Sequence, residues 1–131
     1  MMKKYLLFSL AVLGCAVNMA HAMEMPTSTK RVTNAVQFKN ETTKHYDKLY
    51  YLSEIKLKNQ KTNKDKAHTA CVEIPRALAD VIKFNNVNKS LFDDNTQKNI
   101  EKHNRDLTAK NQDMFSKLKC NDAIAHYKFK L

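Results

Sequence analysis

The apolar positions change period several times along the chain, and each change proposes an element boundary. The first stretch is the plainest. Residues 5–17 (YLLFSLAVLGCAV) are uncharged, and the run is shorter than the roughly 20 apolar residues a membrane-spanning helix needs. Met1-Met2-Lys3-Lys4 stands ahead of it and Ala20-His21-Ala22, a small-x-small site, behind it. A cationic start, an apolar run and a small-residue cleavage site in that order predict a bacterial-type secretory signal peptide over residues 1–22, cut after Ala22 with Ala20 and Ala22 as the small residues of the site. Val12-Leu13-Gly14-Cys15 offers a competing lipoprotein signal in which Cys15 is lipidated. Leu13 fits that signal poorly, and no polar tether follows Cys15.

Residues 23–34 (MEMPTSTKRVTN) show no period and form the expected flexible leader; residues 35–131 form one small globular domain. From Tyr46 two patterns compete. Tyr46, Leu49, Tyr50 and Ser53 share a helix face, whereas Ser53-Glu54-Ile55-Lys56-Leu57-Lys58 alternates as a half-buried strand does. The period changes near Leu52, which predicts a short helix or turn, a strand over 51–58, a polar loop over 59–66 and a second extended stretch from His68 to Ile74. Pro75 suits the first turn of a helix, and Leu78, Val81 and Ile82 continue it toward Asn85-Asn86. Asp94 with Gln97 three residues on is a capping-box variant. It opens an expected helix over 95–119 with Ile100, Leu107, Met114 and Leu118 on one side. Tyr127-Lys128-Phe129-Lys130-Leu131 alternates and predicts an edge strand with its lysines in water.

The fold expected from these elements is α+β: a small disulfide-stapled domain with a β-hairpin, two helices and a C-terminal strand. An all-α bundle, with residues 36–58 as one helix, is the alternative.

Composition sharpens this picture. Loss of residues 1–22 removes Cys15 and leaves Cys71 and Cys120, which in an oxidising compartment are expected to pair. It also removes Gly14, the chain's only glycine. Phosphate-cradling loops, nucleophile elbows and dinucleotide fingerprints all need glycine for their tight turns, so those chemistries are disfavoured. Left-handed turns are expected to fall to asparagine, with Asn63 and Asn85-Asn86 at the breaks.

The charge points to a partner. With Lys3 and Lys4 gone, 21 of the 23 basic residues remain against 13 acids. Lys56, Lys58, Lys61, Lys64 and Lys66 crowd one expected hairpin tip, where their field attracts an anionic partner. Lysine outnumbers arginine heavily, and the loop carries no aromatic residue, so specific nucleic-acid binding is not expected. Membrane contact is expected only if Cys15 is lipidated. The histidines His45, His68, His103 and His126 lack metal-ligand spacing, no serine sits in a nucleophile motif, and Asp93-Asp94 is accounted for by helix capping. No catalytic residue, metal or cofactor is therefore assigned. Asn40-Glu41-Thr42 and Asn88-Lys89-Ser90 match the N-glycosylation pattern, a match that an asparagine-rich chain makes by chance. The expected protein is an exported, periplasmic or secreted binding protein, such as an inhibitor, immunity or accessory factor, acting on an acidic protein or an anionic envelope component. An envelope-attached lipoprotein is the alternative.

Overall fold

The structure is a computed structural model that describes residues 29–131. The expected signal segment with Cys15, Ala20 and Ala22, and leader residues 23–28, lie outside the described residues. Of the described residues 83% are helical and none forms a strand. The expected α+β fold is thereby corrected to a helical bundle, and both expected hairpin strands have the same physical replacement.

Helix α1 covers residues 35–59. It starts as α-helix at Ala35–Tyr50, where the Asn34 side chain caps the N-terminus by accepting from the Gln37 N–H at 2.9 Å. At Tyr51–Lys56 it widens into a π-helix, and Leu57–Asn59 closes it. The Leu57 N–H reaches the Leu52 carbonyl five residues back. Tyr46, Leu49 and Leu52 recur at three-residue spacing on the core face, and the extra residue in the wide turn brings Leu57 round to the same core. The period change at Leu52 is real, but it marks a change of helix type, and the alternation over 53–58 is its by-product.

Helix α2 covers residues 63–88. Thr62 caps it through the Asp65 N–H at 3.1 Å, and Asn63–His68 forms its first turns. Thr69–Glu73 is again π-helical, and Ile74–Asn88 completes the helix. The expected second strand, His68 to Ile74, is this wide turn. Pro75 does not open the helix; it lies within it. A proline lacks the N–H and presses its ring on the carbonyl four residues back. The widened turn just before it, in which the Ile74 N–H reaches the Thr69 carbonyl, absorbs that mismatch. The two π turns pack against each other.

A 3-10 turn, Lys89–Leu91, leads to helix α3, Asp94–Lys117. Its cap is Asp93, one residue before the expected Asp94, accepting from the Thr96 N–H at 2.8 Å. Gln97 donates instead to the Phe92 carbonyl. Helix α4, Cys120–Tyr127, is bounded by two left-handed residues, Lys119 at φ 51° and Lys128 at φ 57°. Among the described residues positive φ therefore falls to exposed lysines and not to asparagine. Beyond Tyr127 the expected edge strand is absent: Lys128 turns the chain, and the Phe129 N–H closes onto the Ile124 carbonyl at 3.2 Å.

The core lies where α1, α2 and α3 meet: Tyr46, Leu49 and Leu52 against Ile74, Ala77, Leu78, Val81 and Leu107. Asparagines work inside it. Asn85 donates to Asn104 and Asn104 to Asn86, each at 3.0 Å, stitching α2 to α3. Asn88 accepts from the Val32 N–H and donates to the Lys30 carbonyl, docking residues 30–32 on the end of α2. With Asn88 only 2% exposed, its glycosylation match is ruled out sterically. Cys71 and Cys120 form the expected disulfide, which fastens the start of α4 to the second π turn.

Candidate functional site, a basic and aromatic end

The turn between α1 and α2 holds the lysines singled out in the sequence, and the fold divides them. Lys56 Nζ donates to both oxygens of Glu73 at 2.8 Å, linking the first π turn to the second. Lys58 pairs with Glu54 on its own helix. Lys61, Lys64 and Lys66 are exposed and carry no ion pair among the described residues. Three of the five candidates thus face solvent unneutralised, Lys56 ties the two π turns together, and Lys58 sits in an exposed pair on its own helix.

Glu73 is the hub behind them. Besides Lys56 it accepts from His68 Nδ1 at 3.1 Å. Thr69, which is fully buried, donates to Gln60 at 2.7 Å and lies 3.5 Å from Glu73. Burial pushes the Glu73 carboxyl up, but the bonds from Lys56 and His68 outweigh it and hold the group below its usual range. The network therefore keeps Glu73 ionised and the two wide turns locked together.

The C-terminal segment completes this end. The His68 ring meets Phe129 edge-on at a centroid distance of 5.0 Å, and Phe129 stacks on Tyr127 at 5.4 Å. His126 contacts Tyr127 at 4.7 Å. Lys128 and Lys130 alternate with these rings and are exposed, as is Lys119 at the start of α4. Sequence reading missed Lys119, Lys128, Lys130, Tyr127 and Phe129 as partners of the lysine turn. The signal for them was the expected Cys71–Cys120 bond, which forces the segment after residue 120 beside residues 68–71.

The remaining histidines are elsewhere. His45 is buried against Phe84, and His103 shares a 2.9 Å hydrogen bond with the Tyr46 hydroxyl. Burial holds both imidazoles below their usual range. Among the described residues no group of three or more His, Cys, Asp or Glu side chains is placed to hold a metal ion. Two adjoining open grooves of about 450 and 410 Å³ run between α2 and α3, both bordered by Ile82, Asn86, Thr108 and Gln112. Neither is lined by a histidine or by the turn lysines. No described helix is long and apolar enough to cross a membrane. No family model matches the chain, and neither a curated protein nor a solved structure matches it.

Proposed function

We propose that the chain is an exported, non-catalytic binding protein that engages an anionic partner of the bacterial envelope through its basic end. The inhibitor, immunity and accessory proteins of the periplasm are the functional class this reading has in view. The observation that carries it is the exposed, unneutralised group Lys61, Lys64 and Lys66 at one end of a disulfide-fastened bundle. Charges left unpaired next to others that the fold pairs off keep their field for a partner. The export part of the proposal rests on the signal pattern of residues 1–22 and is supported by the disulfide, a bond favoured in oxidising compartments.

Catalysis is left out of the proposal for a geometric reason. His68 and Glu73 form a histidine–carboxylate pair, but the neighbouring hydroxyl, Thr69, is buried, and Glu73 is committed to Lys56. The test is affinity capture from the native envelope by the oxidised protein beside a Lys61→Glu/Lys64→Glu variant. Saturable capture of an anionic component, weakened by salt and lost in the variant, supports the proposal. Equal capture by both proteins removes the turn from it.

A further inference from the structure

We infer that the basic end docks on an anionic lipid surface, with the α1–α2 turn and the C-terminal segment forming one contact face. The inference rests on the proposal that the turn lysines bind a partner, and it names that partner. Its first ground is charge. Lys61, Lys64, Lys66, Lys119, Lys128 and Lys130 are exposed without ion pairs among the described residues, against Asp65 and Asp122 on the same segments. Glu54, Glu73 and Asp113 are taken up by Lys58, Lys56 and Lys117. The surplus positive charge comes from segments far apart in sequence that the Cys71–Cys120 bond holds together.

The second ground is apolar. Leu131 is 82% exposed and Leu118 is 52% exposed, two of the most exposed large apolar side chains among the described residues. Leu118 and Lys119 directly precede Cys120 at the start of α4, and Leu131 follows Lys130 beyond its end, so each leucine adjoins one of the exposed lysines. Amphipathic rings and leucines interleaved with lysines are the side chains that settle at a headgroup boundary, with the apolar part inward and the ammonium groups among phosphates.

The third ground is residue type. Lysine attracts charge without the fixed two-pronged geometry that arginine brings to a specific carboxylate or phosphate. A diffuse sheet of lipid phosphates asks for no more than that.

The experiment is co-sedimentation of the full chain, expressed with its signal segment and purified oxidised, with vesicles of phosphatidylglycerol and phosphatidylcholine, and with vesicles of phosphatidylcholine alone. The expected result is binding to the anionic vesicles only, with release when NaCl is raised from about 0.1 to about 1 M, where the screening length is about 3 Å. Lys61→Glu/Lys64→Glu and Lys128→Glu/Lys130→Glu should each weaken it at least about tenfold, and Leu118→Ser/Leu131→Ser should weaken it with every charge kept. All these side chains but Leu118 and Leu131 are charged, and all are exposed, so circular dichroism and an intact disulfide confirm the fold of each variant. Equal binding to neutral vesicles, or anionic binding untouched by the variants, overturns the inference. Binding to soluble polyglutamate with the same lysine dependence, and none to vesicles, overturns it in favour of an acidic protein while sparing the proposed function. Binding to neither overturns the inference and leaves the proposed function to the affinity capture.

Discussion

At the residue scale two buried imidazoles are expected to make the bundle sensitive to acid. His45 is 2% exposed, and its Nε2 has no hydrogen-bond partner among the described residues. Burial pushes its pKa down, with Lys48 adding to the effect and Asp80 and Glu41 opposing it. His103 is pushed down by burial against a smaller pull from Asp106. A histidine that protonates less readily folded than unfolded costs stability as the pH falls: the unfolded chain takes up the proton first, from about pH 6.5 downward. Glu41, held low mainly by Lys30, and Glu73 add a second loss below their usual range near 4.5. Asp47, pushed up by burial, works in the opposite direction. The melting temperature should therefore fall between pH 7 and pH 5. In His45→Leu, which removes both the proton acceptor and the unpartnered nitrogen, that fall should be smaller. An unchanged fall in the variant would place the acid sensitivity elsewhere.

At the element scale the two wide turns explain both the fold and the way the sequence misleads. Pro75 inside a regular helix would cost about 3 kcal/mol relative to alanine. Because the π turn at Thr69–Glu73 has already displaced the local bonding, Pro75→Ala should change unfolding free energy by less than about 1 kcal/mol in urea. A gain near the full value would mean that the turn does not absorb the proline. The α2–α3 crossing depends on Asn104, which serves Asn85 and Asn86 together. Asn104→Ala leaves the amide of the 2%-exposed Asn85 without its acceptor and should cost about 1 to 3 kcal/mol by the same measurement. Much of the helical content was legible: the α3 seam at Ile100 and Leu107 and the helical run after Pro75 appear as their spacing implies, and the cap of α3 falls one residue before the expected Asp94. The hairpin was misread because a wide turn shifts the apolar positions by one residue, and over six residues that shift cannot be told from alternation. Asn85 and Asn86 look like breakers from composition, but both lie within α2 and bond the facing Asn104, Asn85 buried and Asn86 exposed. At the candidate site the lysine turn was legible as a charge cluster, but not its division into paired and free members, since Glu73 lies 17 residues from Lys56.

At the scale of the whole molecule, α4 and the C-terminal segment are fastened to the bundle by one covalent bond beside their contacts with α3, the start of α2 and the second π turn. Cys71 and Cys120 are separated by 49 residues and both are buried. Closing a loop of that length stabilises the fold by about 4 kcal/mol through the denatured chain. The core residues of α1, α2 and α3 do not include any from α4, so the bond's loss should fall unevenly. In Cys71→Ala/Cys120→Ala, amide exchange should accelerate across 120–131, while the amides around Val81 and Leu107 stay among the slowest, now limited by a global stability lower by about 4 kcal/mol. Lys119, Lys128 and Lys130 would then be carried on a loosened segment, with Phe129 no longer fixed against His68. Uniform acceleration across the chain would instead make the disulfide a staple of the whole bundle, and the basic end a consequence of global folding and not of this one bond.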